Sequence, residues 1–419
     1  MQGNGGTTIA GSVSATSSAK LNTVLWSDYD NTNEAGVRIG GTISTNGGEV
    51  WLGGSSSNGG SSTWKGLTVG DGPSIGSATN NSNAIDFNGN ITTGGGELFV
   101  WAGDGNNGAN GIITDADGCT INTGTGNVTF IADRVFGTTS PVILNSTGLF
   151  TFAPHGGSWP SSFSWSQDSV LNGNFNLQSH LDYLTINNFA TLGGLNFGYY
   201  NGMSGITFNN TSDILFTATA SVAGPITAYG GIITLNANLT TTNNGAISLY
   251  TDNALGGLLS TARTLTAAGA FKYIPRTTTF SDHVTYPITN LTATSTGLTI
   301  GNTTNDKNIT ITQDVIGGAG IELLGNNLYI NANLKTTNSA DMYLKGNTTI
   351  NALKYIESNG NFTHDGNLIF KSDANGTAAF GPLGGTLTTV SGTATVERYV
   401  PAKRGWRLLT APLQGATNT

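Results

Sequence analysis

The sequence predicts an all-β fold of the parallel β-helix class, and three observations lead to this prediction. One segment recurs along the chain, apolar and polar residues alternate within it, and helix signals are almost absent. The recurring segment is clearest at Gly231 to Tyr250, GIITLNANLTTTNNGAISLY, and at Asn327 to Leu344, NLYINANLKTTNSADMYL. Both contain Asn-Ala-Asn-Leu, then Thr-Thr, then a small polar turn, then alternating apolar residues.

Six segments share a pattern of an apolar residue, a nearby Thr or Gly, a Gly/Asn turn and an alternating apolar stretch. They are ISTNGGEVWLGG from Ile43, ITTGGGELFVWAG from Ile91, INTGTGNVTFIAD from Ile121, LTTTNNGAISLYTD from Leu239, VIGGAGIELLG from Val315 and LKTTNSADMYLKG from Leu334. The step between neighbouring segments varies, and it is much longer from Ile43 to Ile91 than from Val315 to Leu334. A repeat of about 20 to 30 residues with loops of variable length is typical of a solenoid.

The residue types favour short strands joined by tight corners. Gly, Asn, Thr and Ser are poor in helix interiors, whereas Thr, Ile, Val, Phe and Tyr suit strands. Gly and Asn also tolerate the left-handed backbone of tight turns. Charged residues make up 10% of the chain, against a usual share of about 25%. Coils stacked in register place like residues above each other, and like charges directly opposite are unfavourable.

Composition also excludes several classes of protein. Hydrophobic residues make up 37% and alternate with polar ones, which argues against disorder over most of the chain. The net charge of −8 and the scattered basic residues disfavour nucleic-acid binding. A single cysteine excludes a disulfide within the chain. No apolar run reaches the roughly 18 residues of a membrane span, so no span is predicted.

We predict that residues 1–392 form the β-helix. Residues 137–205 depart from the repeat and are predicted to be coils that carry a longer loop excursion. After Gly392 the chain becomes more charged, so residues 393–419 are predicted to start a following module or to cap the helix. The N-terminus lacks the basic and apolar regions of a signal peptide, and we expect the chain to be a piece of a longer protein.

Three segments, GTGNVTFIADRVF from Gly124, SHLDYLTINNFATLGGLNFG from Ser179 and GPITAYGGIITLNANLTTTNNGAISLYTD from Gly224, resemble filamentous haemagglutinin-type repeats. Such repeats occur in very large secreted bacterial adhesins. The resemblance covers roughly residues 35 to 390 and implies a right-handed parallel β-helix at the cell surface. The segment TVERYVPAKRGWRLLTAP near the C-terminus resembles surface proteins that Bacteroidetes export by the type IX system. The secretion machinery is therefore an expected partner, although the haemagglutinin family's N-terminal secretion domain is not evident.

Few motifs in the sequence indicate chemistry. The run GDGNNG, Gly103 to Gly108, matches GxGxxG, but ANGIITDADG follows it where a dinucleotide site needs a helix. Asp104, Asp115 and Asp117 are candidate ligands of a structural calcium ion, although the spacing lacks the closing Glu of an EF-hand. The four histidines have no metal or triad spacing, and we predict neither a catalytic residue nor a cofactor.

Aromatic residues are candidates for stacking on sugar rings, because they present flat apolar faces with a polar handle. We single out Trp159, Trp165 and Tyr183, since their region departs from the repeat; packing in the core or a loop is the alternative. Asp168-Ser169-Val170 resembles the short O-glycosylation sequon of Bacteroidetes proteins, which makes Ser169 a candidate modification site.

These inferences predict a segment of a secreted, extracellular cell-surface adhesin that binds glycans or surfaces through many weak contacts, alone or in bundles with other copies. A structural stalk that spaces other domains is the alternative. A polysaccharide-acting enzyme is a third reading, disfavoured because the acidic residues are spread thinly. Thr-rich runs such as Thr240–Thr242 are typical of ice-binding faces, but those require Thr at a fixed place in every coil.

Overall fold

The computed structural model describes residues 1–2, 6–16, 18–30, 36–76, 84–103, 111–114, 118–137, 140–159, 163–165, 184–187, 189–253 and 262–400. The described residues form strands, turns and one 3-10 turn, Phe189–Thr191, and contain no α-helix. They belong to two compact units. Unit 1 comprises Met1–Arg276 and Asn290–Thr294, and unit 2 comprises Thr277–Thr289 and Ser295–Thr419.

In unit 1 the chain winds through three parallel sheets in turn. The first sheet contains Thr7–Ile9, Val37–Ile39, Ile85–Phe87, Gly111–Thr114 and Arg134–Gly137, and Phe163–Trp165, Ile214–Phe216 and Ile233–Leu235 form a further three-stranded sheet. The second contains Val13–Ser14, Ile43–Ser44, Ile91–Thr92, Cys119–Gly124, Val142–Ser146 and Leu184–Asn187. The third contains Thr23–Trp26, Val50–Gly53, Leu98–Trp101, Val128–Ile131, Leu149–Ala153, Gly194–Phe197, Ile226–Tyr229, Ile247–Tyr250 and Arg263–Ile274, which also pairs with Leu239–Thr241 and, through it, with Ala220–Val222.

Unit 2 repeats this arrangement. One run of parallel strands contains the part of Leu291–Gly301 from Ser295 onward, then Ile321–Ile330, Met342–Ile350, Phe362–Asp365 and Leu387–Ser391. A second run uses the C-terminal ends of Ile321–Ile330 and Met342–Ile350, which pair with Ile309–Ile311 and Leu368–Phe370 respectively. Val284–Tyr286 pairs with Ile309–Ile311, and Ala394–Val396 pairs with Leu368–Phe370. A third contains Val315–Gly317, Leu334–Thr336, Tyr355–Ser358 and Ala379–Leu383, and Ser372–Asp373 with Gly376–Thr377 forms a small hairpin.

The predicted fold class is confirmed: both units are stacks of parallel, in-register strands, as in a parallel β-helix. The number of residues between two paired positions is the length of one coil. Regular coils are short, because Val128 pairs with Phe150 and Met342 pairs with Phe362. The coils from Val50 to Leu98 and from Phe150 to Leu195 are much longer, because extra segments are inserted between their strands. The variable steps between the repeated segments in the sequence therefore arise from regular coils with insertions.

Inward-facing side chains stack into apolar columns along the coils. One column of the third sheet is buried throughout and consists of Val50, Leu98, Val128, Phe150, Leu195, Ile226, Ile247 and Phe271. Burial of each such side chain contributes about 1.5–3 kcal/mol to the stability of the fold. The side chains of each coil shield those of the adjacent coils from water. Apolar and polar residues alternate in the sequence because every second side chain of a strand enters such a column.

Two insertions build a second layer on unit 1. Ser61–Trp64 with Leu67–Gly70, and Tyr199–Met203 with Ile206–Asn209, are antiparallel hairpins that meet through Met203 and Trp64 to form one four-stranded sheet. The second hairpin ends at Asn209 and so extends beyond the predicted 137–205 excursion. Within that range Val142–Ser146 and Leu149–Ala153 are regular coil strands.

Strand pairing continues past residue 392, the boundary that the change of composition predicts. Ala394–Val396 adds to Leu368–Phe370 in parallel register, as the preceding strands do. Residues 401–419, which carry the rest of the predicted module or cap, lie outside the described residues.

Candidate functional site

The Thr of the repeated motif lies at a buried corner of the coil. In five of the six segments this Thr donates its hydroxyl hydrogen bond to the carbonyl oxygen that ends the turn, at 2.5 to 2.8 Å: Thr45 to Gly48, Thr93 to Gly96, Thr123 to Gly126, Thr241 to Gly245 and Thr336 to Ala340. All five Thr side chains are buried. The turn residues Asn46 and Gly47 have φ of 49° and 85°, a conformation that Asn and Gly tolerate. The motif is therefore structural.

The Asn-Ala-Asn-Leu units are explained by the same stacking. The Leu is fully buried, and the second Asn lies at the edge of the strand with its side-chain oxygen toward the next coil. Asn238 accepts a hydrogen bond from the backbone N–H of Thr264 at 2.9 Å, and Asn333 accepts one from Tyr355 at 3.2 Å. Each Asn thereby binds the backbone near the start of a strand in the next coil.

Asparagines also form a ladder in unit 2. Its rungs are His283, Asn308, Asn327, Asn347, Asn367 and Thr393, at equivalent positions of successive coils. The side-chain oxygen of Asn367, for instance, accepts from the Thr393 N–H at 3.1 Å. These neutral ladders link coils without the repulsion that stacked charges would bring.

The outward surface of the second sheet carries a column of neutral polar side chains, which we call the polar column: Ser14, Ser44, Thr92, Asn122, Asn145 and Asn187. All six are exposed or half-buried. Adjacent parallel strands lie about 4.8 Å apart, so hydroxyl and amide groups recur at that interval across six coils. The column offers hydrogen-bond donors and acceptors and no charge.

The outward surface of the third sheet begins as an aromatic face that the two hairpins cover. Trp51 and Phe99 stack with their ring centroids 6.3 Å apart, and Trp64 of the first hairpin lies 5.7 Å from Phe99. Trp64 Nε1 donates to the Tyr200 hydroxyl of the second hairpin at 2.9 Å. The cluster also buries Trp26, Val69, Trp101, Ile131, Ala153, Met203 and Phe208. These tryptophans therefore form a second core and present no ring to solvent.

Further along the third sheet the outward surface bears Tyr229 and Tyr250. Tyr199, the first residue of the second hairpin, lies against Tyr229, and we call these three residues the tyrosine row. Successive ring centroids lie 5.3 and 5.8 Å apart, with the planes tilted by 39° and 36°. All three rings are half-buried. Burial raises the pKa of Tyr229 and of Tyr250 above the ordinary value, so their hydroxyls remain protonated at neutral pH.

Polar groups surround the tyrosine row. The Tyr229 hydroxyl donates to the carbonyl oxygen of Arg276 at 3.2 Å. The Arg276 guanidinium lies 3.6 Å from the Asp252 carboxylate and donates to the Asn210 carbonyl oxygen at 3.1 Å. Beside the row runs a second outward column that contains Asn196, Thr227, Ser248 and Lys272. Ser248 is buried in this column, whereas Thr227 and Lys272 are half-buried beside the rings.

Two polar clefts lie elsewhere. One in unit 1, of about 430 Å³, is lined by Thr217, Ala218, Thr219, Asn236, Ala237, Asn238 and Arg263. The other, in unit 2, of about 370 Å³, is lined by Thr303–Asp306, Gly325, Asn326, Lys345–Asn347, Asp365 and Gly366. The first cleft is lined mainly by Thr, Ala and Asn, and the second also includes the charged residues Asp306, Lys345 and Asp365.

The sugar-stacking candidates are placed as follows. Trp159 is only 2% exposed, stacks on Phe152 at 5.4 Å and donates its Nε1 hydrogen bond to the Ala132 carbonyl oxygen at 3.2 Å. Its ring is therefore a packing element, the alternative that the sequence left open. Trp165 ends the strand Phe163–Trp165, which pairs with Ile214–Phe216. Tyr183 and Ser169 lie outside the described residues.

Titratable groups are dispersed. Within the described ranges no three His, Cys, Asp or Glu side chains lie close enough to hold a metal ion; Asp104, Asp115 and Asp117 lie outside those ranges. His283 accepts the Asn308 N–H through Nδ1 at 3.1 Å, and His155 Nε2 lies 3.5 Å from the Asp133 carboxylate. Cys119 donates to the Gly89 carbonyl oxygen at 2.9 Å, and burial raises the pKa of its thiol to about 12.

Comparison with known proteins identifies no relative: no protein-family model, curated protein or solved structure matches the chain. Where the chain is described, none of its segments is a helix with the length and hydropathy that crossing a bilayer requires. The geometry of the chain's own surfaces therefore carries the functional argument.

The tyrosine row was not singled out from the sequence. Tyr229 and Tyr250 pair across neighbouring strands and occupy equivalent places in two repeats, at the ends of ITAY and ISLY. That shared position is the signal which could have identified them. Tyr199 enters the row from a hairpin, so its contact with Tyr229 has no counterpart in the repeat.

Proposed function

We propose that this chain is a segment of a secreted cell-surface adhesin that binds glycans or surfaces through many weak contacts. The observation that carries the proposal is the polar column, where six neutral hydrogen-bonding side chains recur at the strand spacing. A ligand that is itself repetitive and uncharged, such as a polysaccharide, meets several of these groups at once. Avidity then supplies affinity that no single contact provides.

The proposal includes the absence of catalysis and an extracellular location. The resemblance to filamentous haemagglutinin-type repeats supports the extracellular location, and the dispersed acidic residues support the absence of catalysis. Export by a type IX system and a Bacteroidetes origin rest on the segment TVERYVPAKRGWRLLTAP alone.

The test is to immobilise the chain, pass a panel of neutral and acidic polysaccharides over it, and measure both retention and released sugars. We expect retention of neutral polymers without release of oligosaccharides. The double variant Thr92→Lys/Asn122→Lys places two charges in the polar column and should reduce retention several-fold. Thr388→Lys, an exposed position of unit 2, is the matched control and should leave retention unchanged.

Two results would overturn the proposal. Release of oligosaccharides would identify an enzyme. A lack of retention of every polymer would favour the second candidate function, a stalk that spaces other domains, which the regular stacking and linking ladders also suit.

A further inference from the structure

We infer that the tyrosine row of unit 1 is a binding site for a chain of neutral hexoses, with the rings of Tyr199, Tyr229 and Tyr250 against the sugar faces. The inference rests on the proposed adhesion to glycans and adds a defined site and ligand class to it. Three features of the surface carry it.

The first feature is the contrast along the third sheet. Where the outward residues are Trp51 and Phe99, two hairpins cover them and the rings are fully buried. Where the outward residues are tyrosines, the face is open and the rings are half-buried. A face that keeps aromatic rings in contact with water, each with a hydroxyl at its edge, suits a ligand that is itself part apolar and part hydroxylated.

The second feature is the spacing. The rings follow one another at 5.3 and 5.8 Å, because Tyr229 and Tyr250 are paired on neighbouring strands and Tyr199 reaches Tyr229 from the second hairpin. Their planes are tilted by 39° and 36°, so the rings do not stack face to face. A linear polymer laid along the coils therefore meets a new ring at each step, and a single small sugar meets only one.

The third feature is the charge and hydrogen bonding. Asp252 and Arg276 lie 3.6 Å apart and offset each other's charge. Thr227 stands beside the rings with a half-buried side chain, and the same column continues through the buried Ser248 to Lys272. Polar groups around aromatic rings suit the recognition of hydroxyl groups. The paired charges of Asp252 and Arg276 add no net charge beside the rings, and Lys272 is the single cation of the column.

The experiment uses the whole chain and three hexasaccharide probes: β-1,4-linked glucose, α-1,4-linked glucose and α-1,4-linked galacturonate. Binding is measured by calorimetry, and saturation-transfer NMR identifies the sugar protons that contact the protein. We expect at least one glucose hexamer to bind, with transfer concentrated on ring C–H protons and no gain for galacturonate. Tyr229→Ala and Tyr250→Ala should each weaken binding at least tenfold.

Controls separate the site from a loss of structure. Tyr329→Ala removes a 40% exposed tyrosine of unit 2 and should leave binding unchanged. Thr227→Arg keeps all three rings but places a long side chain beside them, and should also weaken binding. Circular dichroism and thermal melting check that each variant is folded.

Three outcomes would overturn the inference: unchanged binding in folded Tyr229→Ala and Tyr250→Ala variants, a preference for galacturonate, or no binding of any hexamer. If the immobilised chain still retains polysaccharides while the tyrosine variants bind as the native chain does, adhesion stands and only this site is wrong. If the native chain retains no polymer, the proposed function itself fails.

Discussion

The hydroxyl of Thr123 donates a hydrogen bond to the Gly126 carbonyl oxygen at 2.8 Å inside a fully buried corner of the coil. Gly126 receives a second hydrogen bond, from the Ser146 hydroxyl of the next coil, at 3.1 Å. At the equivalent corner one coil earlier, Thr93 donates to Gly96 at 2.5 Å. The corners are alike, but the acceptor at Gly126 has an additional donor.

We therefore expect Thr93→Val to destabilise unit 1 by about 1–3 kcal/mol, because it leaves a buried carbonyl oxygen without the Thr hydroxyl. Thr123→Val should cost less, since Ser146 still donates to Gly126. Urea unfolding followed by tryptophan fluorescence measures both. Thr92→Val, at the neighbouring exposed position, should change stability by no more than about 0.5 kcal/mol. Equal losses for Thr92→Val and Thr93→Val would contradict the structural role of the motif.

The asparagine ladder of unit 2 makes a local prediction. Asn367→Ala removes the acceptor of the Thr393 N–H, a bond of 3.1 Å, and should cost about 0.5–1.5 kcal/mol. Hydrogen exchange at the Thr393 amide should accelerate more than exchange at buried amides of the same unit. Asn375→Ala, in the exposed hairpin turn, is the control. Unchanged exchange at Thr393 would show that the ladder does not hold this strand.

Trp64 makes a prediction about the hairpin sheet. It is 1% exposed and lies between Phe99 of the coil and Tyr200 of the second hairpin. Trp64→Ala should destabilise this region by about 3–5 kcal/mol and expose the hairpins to limited proteolysis. Trp64→Phe keeps a ring but loses the hydrogen bond to Tyr200, so its loss should be about 0.5–1.5 kcal/mol. Resistance of Trp64→Ala to proteolysis equal to that of the native chain would contradict the role of this second core.

His364 makes unit 2 sensitive to pH. The imidazole is 3% exposed, faces the core and lies parallel to Phe362 at 6.3 Å. Burial lowers its pKa below the ordinary value of 6.5, against the opposing effects of a hydrogen bond with the Asn367 backbone and of the Asp365 carboxylate. The folded state therefore holds the neutral form, whereas the unfolded chain binds a proton below about pH 6.5.

Stability should therefore be full above this pH and should fall as the pH drops below it, because unfolding takes up a proton. Thermal melting of the native chain and of His364→Leu between pH 7.5 and 5 measures the effect, which the variant should lose. If the melting temperature of His364→Leu depends on pH between 7.5 and 5 as that of the native chain does, His364 is not the group responsible.

The carboxyl groups of Asp306 and Asp314 act in a separate window. Hydrogen bonds from Thr279 and from the Asn333 backbone lower their pKa, so their contribution is lost only near and below pH 3.8.

The strand pattern and the coil repeat could be predicted because both are local properties. Ile43, Ile91 and Ile121 begin three of the repeated segments, and the structure stacks them in one buried column. The corner Thr and the Gly/Asn turn follow each of them at a fixed distance. Side-chain alternation with period two and turn residues with left-handed backbone are visible in any sequence window of this size.

The candidate site could be predicted only in part. The sequence favoured Trp159 because its region departs from the repeat, and the structure buries that ring on Phe152. Trp51, Trp64 and Trp101 are also aromatic residues of the kind that can stack on sugars, but they meet in the cluster under the hairpins. Whether an outward aromatic is open or covered depends on an insertion from another coil, which leaves no mark beside the residue itself.

The sequence by itself determined that the chain is all-β, that it is built from short repeats and that its surfaces carry few charges. These properties arise from residue types and short-range spacing, which are fixed along the chain. Only the tertiary structure decided which outward columns stay open, because the hairpins at Ser61–Gly70 and Tyr199–Asn209 meet although they lie far apart in the sequence. It alone also aligned Tyr199, Tyr229 and Tyr250 on one face, since their contact depends on how the coils stack.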